Sequence, residues 1–153
     1  MSLGIISFVL SLLAFLFLVY PRISLSPGQS LNTHDPFQTP FIIKNDGYLP
    51  LYNIDYLLNL ESMEDINHNR FTNNIIGQPS RGIIAELKPN RTSSIFINRA
   101  VVAPPNHIKY VEATIRITYR PFLVPFNFTE NIRFKTERNN NGEYIWFEFY
   151  AQR

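Results

Sequence analysis

The opening of the chain constrains it most: Leu3 to Tyr20 reads LGIISFVLSLLAFLFLVY, eighteen residues without a charge. At about 1.5 Å rise per residue, a helix of that length roughly matches a bilayer core of about 30 Å. Gly4, Ser7 and Ser11 interrupt the run only mildly, because a lipid-embedded helix satisfies its own backbone groups. Tyr20 falls at the interface, Pro21 stops the helix, and Arg22 begins the aqueous chain. The rival is a cleaved signal peptide, which wants a basic start and small residues before a cut. Met1-Ser2 supplies no basic side chain, and no A-x-A-like pattern follows. The expectation is an uncleaved single-span transmembrane anchor over residues 1–20, with residues 3–20 in the bilayer. Gly4, Ser7 and Ser11 also stand three and four apart, the spacing of a helix-pairing face. Orientation rests on Arg22 against the terminal amine alone, which leans weakly toward a cytoplasmic globular part and leaves the side open.

All the charged side chains, 14 basic and 12 acidic in 153 residues, lie after this run. An excess of two is far below what phosphate-backbone binders usually need, which argues against a nucleic-acid partner. The absence of cysteine excludes a disulfide framework, a thiolate metal site and a cysteine nucleophile. Aromatic content of 14%, with 11 prolines and 6 glycines, favours strands and prolyl turns over a helical bundle.

Periodicity divides the remainder into a tether with a first strand (21–36) and one β domain (37–153). Ile23 and Leu25 alternate with polar neighbours, a turn-rich stretch runs from Pro27 to Pro36, and Thr39 to Lys44 is a second strand. Asn45-Asp46-Gly47 is a turn signal, since these residues accept positive φ. From Leu51 to Leu60, Ile54, Tyr56, Leu58 and Leu60 share a face opposite Asn53, Asp55 and Asn59. Glu61 to Pro79 reads as a polar excursion with one edge strand, anchored by Met63, Ile66, Phe71, Ile75 and Ile76. Short strands follow at Ile83 to Leu87 and Thr92 to Asn98. The clearest strand, Ile108 to Arg120, alternates Val111, Ala113, Ile115, Ile117 and Tyr119 with polar residues, and Phe126 to Glu137 repeats the pattern. Asn139 to Gly142 turns the chain into a last strand. There Ile145, Phe147 and Phe149 face one side and Tyr144, Trp146 and Tyr150 the other. Seven or more short antiparallel strands predict an all-β, immunoglobulin-like antiparallel β-sandwich behind one N-terminal transmembrane helix.

Asn45-Asp46-Gly47 with Leu51-Tyr52-Asn53-Ile54, and Leu87-Lys88-Pro89-Asn90 ahead of a Ser/Thr-rich strand, resemble the layout of bacterial immunoglobulin-like modules related to cell-adhesion domains. The longer pattern PFIIKNDGYLPLYNI, ITYRP and IRFKTER, with aromatic residues at Tyr144 to Phe147, is similar to that of bacterial single-span membrane proteins over about residues 21–150. The resemblance implies the fold and no activity.

Motifs for chemistry are sparse. His34, His68 and His107 each lie in a turn-rich segment and none has a partner at metal-ligand spacing. Asp65, Asn67 and Asn69 mimic the start of a calcium loop, but Arg70 replaces its glycine and Ile76 its bidentate glutamate. Glu61, Glu64 and Asp65 could be imagined as an acid/base pair, though solvated loop carboxylates are the commoner case. Nucleophile-elbow, P-loop and dinucleotide motifs are absent. No cofactor, metal or small-molecule substrate is therefore expected. Two features suggest contact with a partner. Arg116, Arg120, Arg133 and Lys135 could share the outward face of two strands, although Glu112, Glu130 and Glu137 interleave as on an ordinary mixed-charge face. Phe122, Leu123 and Val124 make an apolar turn between Pro121 and Pro125, which either folds back over the sandwich end or meets a membrane or protein. The expected role is non-catalytic protein interaction or scaffolding at a membrane. An accessory subunit of a membrane transporter or enzyme complex is the second reading, and an enzyme with a site formed only in three dimensions is the third.

Overall fold

The computed structural model describes residues 3–72, 79–97 and 104–149. Helix α1 (Leu3–Val19) comes first. Nine strands follow among the described residues: β1 (Ile23–Pro27), β2 (Phe41–Asn45), β3 (Leu51–Asp65), β4 (Arg70–Thr72), β5 (Ser80–Leu87), β6 (Thr92–Ile95), β7 (Ile108–Pro121), β8 (Phe128–Arg138) and β9 (Tyr144–Glu148). They form two antiparallel sheets. The small one has the order β1-β2-β6; the large one runs β4-β3-β7-β8-β9, with β5 also paired to β3.

Alternating apolar residues make the two inner faces. Val111, Ala113, Ile115, Ile117 and Tyr119 of β7 are all buried, as are Phe134 and Thr136 of β8, so the period-two pattern was a direct guide here. Across the sandwich, Phe41 of β2 meets the large sheet with its ring centroid 4.8 Å from Phe134 and 5.2 Å from Trp146. Trp146 donates its indole N–H to the Pro36 carbonyl at 2.8 Å, which ties β9 to the crossover before β2. The antiparallel all-β sandwich is therefore the observed architecture.

Several details differ from expectation for identifiable reasons. β3 continues to Asp65, because β4 pairs with its far end at Ser62 to Glu64, where the polar excursion was placed. Register shifts near Asn53, whose φ is +50°, and again after Leu60 break the simple alternation of β3. In β9 the buried side is Tyr144 and Trp146, while Ile145 is exposed. Asn45-Asp46-Gly47 turns without positive φ: the Asn45 side-chain oxygen accepts the Gly47 N–H at 2.9 Å, and the turn carries the chain from one sheet to the other. Residues 21–36 lie on the sandwich. β1 pairs with β2 in register, Leu25 is in the core, and Asp35 caps a 3-10 turn whose Phe37 is buried. Ile75, Ile76, Asn98 and Tyr150 lie outside the described residues.

The transmembrane helix expected over residues 1–20 meets α1, which spans 17 residues and ends one before Tyr20. Among the described residues, no helix is long and apolar enough to cross a membrane. The side chains from Gly4 to Phe15 are exposed all round the helix.

Candidate functional site

Strand direction sorts the connections into two ends. Ile23 at the start of β1 pairs with Asn45 at the end of β2, and Leu51 at the start of β3 pairs with both Leu87 and Pro121. The end of α1 and the connections 46–50, 88–91 and 122–127 therefore gather at one end. Backbone bonds lace them together: Asp46 and Gly47 N–H donate to the Arg22 carbonyl at 2.9 and 3.1 Å, Asn90 N–H to Asn45 at 2.8 Å, and Phe122 N–H to Pro50 at 3.0 Å.

At the centre of this lacing is Asn45, which is fully buried. Its side-chain amide donates to the Leu49 and Leu87 carbonyls at 2.8 and 2.9 Å while its oxygen holds Gly47. One side chain thus joins β2, the sheet-to-sheet turn and the end of β5.

The apolar 121–125 turn is partly folded back on the sandwich end and partly exposed. Phe122 leans on Tyr52, with ring centroids 6.2 Å apart, and Val124 is half-buried. Leu123 is 67% exposed and Phe126, which closes the apolar stretch, 65%. Leu123 also holds φ at +68°, a left-handed conformation costly for a branched side chain. A shallow open groove runs along Tyr52, Arg120 and residues 121–125. Tyr20 and Tyr48 stand exposed at the same end. Sequence order alone could have suggested this grouping, because consecutive antiparallel strands return the chain to the end where α1 stops.

Arg116, Arg120, Arg133 and Lys135 do not act as one stripe. Arg133 bonds Glu61 at 2.8 Å and lies over the Phe149 ring. Lys135 sits 3.5 Å from Glu112 and 4.3 Å from the Tyr110 centroid. Arg116 lines a small pocket of about 120 Å³ with Asp55, Arg81 and Thr118. Arg81 already grips Asp55 through two bonds, of 3.2 and 2.7 Å, and its hydrogen bonding holds that carboxyl below its ordinary range, with the Arg116 charge adding to the effect. Arg120 belongs with the apolar turn and, among the described residues, has no ion-pair partner.

The carboxylates separate likewise. Glu61 accepts from Thr114 and Arg133, and Glu64 from Lys109 and His68, so neither is free to work as an acid/base partner of the other. The Lys109 ammonium, then His68, hold the Glu64 carboxyl down at about 2. Asp65 is spent on its own turn: it accepts from the Asn67 and Asn69 backbone N–H groups and the Asn69 amide, each at 2.8 Å. The calcium-loop pattern is here a self-capped turn. His34 contacts the Gly142 carbonyl and His68 contacts Glu64, so the histidines are dispersed. Among the described residues no three His, Cys, Asp or Glu side chains are grouped to hold a metal ion.

Comparison of the chain with protein-family models, with curated proteins and with solved structures returns no match.

Proposed function

We propose that this protein is a membrane-anchored, non-catalytic sandwich that serves protein interaction or scaffolding at the bilayer. The observation that carries the reading is α1. Ile5, Ile6, Phe8, Val9, Leu10, Leu12, Leu13 and Phe15 are all exposed, and at 3.6 residues per turn they surround most of the helix. A helix apolar on nearly every side belongs in lipid or in a protein core. Its 17 residues reach about 25 Å, close to the shortest spans a bilayer of about 30 Å accepts. Tyr20, Pro21 and Arg22 then mark the passage to water.

The finer fold assignment is immunoglobulin-like. Sheet order β1-β2-β6 opposite β5-β3-β7-β8 supports it: this is the arrangement of a seven-strand sandwich whose fourth strand has moved to the edge of the third, with β4 and β9 as additions. Such domains offer faces and loops for recognition without a deep pocket.

Flotation of the full-length chain with liposomes, before and after alkaline wash, tests the anchor. Retention with the lipid is expected; recovery as a dispersed species without detergent would refute it. Reporter fusions at each terminus then assign the side of the sandwich. Recovery of a stoichiometric partner in mild detergent is expected if the role is interaction.

A further inference from the structure

We infer that the helix-proximal end of the sandwich is itself a lipid contact, in which exposed aromatic and apolar side chains enter the interfacial zone and a ring of cations meets anionic headgroups. This rests on the anchor reading above and adds a second, separable element to it.

The apolar part is Tyr48, Phe122, Leu123 and Phe126, exposed by 60, 46, 67 and 65%. They come from two connections whose positions at this end are fixed by the strand pairings of Leu51 with Leu87 and Pro121. Tyr48 at such a location suits the headgroup level, where one part of its ring is apolar and its hydroxyl is wet, and Phe122, Leu123 and Phe126 supply apolar surface beside it. The left-handed Leu123 strengthens the argument. A strained backbone that places a branched apolar side chain in water has no packing return within the fold, which makes an external contact the physical reason to retain it.

The cationic part is Lys88, Arg91 and Arg120, all exposed and without an ion-pair partner among the described residues. Two of the acids nearby are occupied: Asp46 is held by Lys44 and Ser24, and Glu130 accepts from Tyr119. Glu86 is exposed at the level of Arg120, with Tyr52 of β3 between them. Unpaired cations around an apolar tip complement a negatively charged leaflet.

Proximity is enforced by the chain. Only Tyr20, Pro21 and Arg22 separate α1 from β1, and the Arg22 carbonyl is fixed by two N–H donors from the 46–47 turn. A bilayer holding α1 therefore lies within reach of this end and not of the far one, where Leu31 is exposed.

Because the chain contains no cysteine, single labels can be placed at will. Full-length Leu10→Cys, Leu123→Cys and Leu31→Cys, each carrying an environment-sensitive fluorophore, are reconstituted in vesicles of phosphatidylcholine alone or with three-tenths phosphatidylserine. Spin-labelled lipids serve as quenchers. The expectation is strong acyl-chain quenching at Leu10, headgroup quenching at Leu123 several-fold above that at Leu31, and a rise at Leu123 with phosphatidylserine. The rise should vanish in K88E/R91E/R120E. Quenching at Leu10 with equal signals at Leu123 and Leu31 would overturn this contact and leave the anchor standing. A Leu123 signal indifferent to phosphatidylserine and to the triple reversal would overturn it too. No quenching at Leu10 would remove the anchor and this contact together.

Discussion

Replacing Asn45 tests whether the helix-proximal end is organised by one buried amide. Asn45→Ala removes three hydrogen bonds, to Leu49, Leu87 and Gly47, from a fully buried position. At a net value of about 1 kcal/mol each, the loss is about 3 kcal/mol. For a domain of this size that corresponds to a fall in midpoint of about 10 °C. Asn45→Asp sharpens the test. Its oxygens would face the Leu49 and Leu87 carbonyls where the amide now donates, and burial adds to the repulsion, so the new carboxyl has a folded-state pKa above its ordinary value of about 3.9. The folded state then binds more protons than the unfolded one between those two pKa values. The variant's deficit relative to the parent therefore grows as pH rises from about 4 toward the folded pKa, and shrinks on acidification. The readout is thermal unfolding of the full chain in mild detergent, followed by the fluorescence of the single, buried Trp146. An Asn45→Ala loss below about 1 kcal/mol, or an Asn45→Asp deficit that does not change with pH, would refute the reasoning.

Three further outcomes follow from the structure. The Glu64 carboxyl should titrate near 2 by NMR, and Lys109→Met should raise it toward the ordinary range; since the folded value is depressed, its contribution to stability is present above about 4.5 and is lost as pH falls toward 2. The Tyr119 phenol, raised first by burial and then by its bond to Glu130, should stay protonated in an ultraviolet titration carried past the ordinary tyrosine value of about 10, and Tyr119→Phe should cost about 1 kcal/mol in denaturant unfolding. Leu123→Gly should raise the unfolding midpoint slightly by relieving the left-handed backbone, while headgroup quenching of a probe placed at Phe126→Cys should fall in the same background; a lower midpoint would show that the Leu123 side chain stabilises the fold.

Legibility of the fold followed burial pattern. β7 and β8 were readable because their strict alternation records one wet face and one buried face. β3 was readable only in part, since extra residues at its register shifts change which side chains point inward and no composition marks them. The Asn45 turn was located correctly, but its conformation depends on a side-chain amide reaching β5, 42 residues away, which local propensity does not report. For the candidate site, the apolar 121–125 turn stood out because its composition is unusual for a loop. Its association with Arg120, Tyr48 and α1 is a property of strand parity. The interleaving of Glu112 with the basic residues was legible in the alternation of paired strands, whereas the reach of Glu61 to Arg133 across β7 depends on sheet order, which no single strand records.

The two groups of cations have different physical roles, and this separates fold from function. Arg133 meets Glu61 across the intervening β7, Lys135 meets Glu112 on the adjacent strand, and both cations lie over aromatic rings, so their charge is already used to hold the large sheet together, at about 0.2–1 kcal/mol for each pair. Among the described residues, Lys88, Arg91 and Arg120 have no such ion-pair partner. They also sit where the linkage is stiffest: Pro21 is buried, Arg22 is bonded twice to the 46–47 turn, and a Cβ at Gly47 would come within 3.3 Å of the Arg22 nitrogen. A flexible tether would let the sandwich tumble independently of α1. With Pro21 and Arg22 held, only Tyr20 is left as a link between α1 and the sandwich, which is why the lipid contact proposed above is assigned to this end and not to the far one.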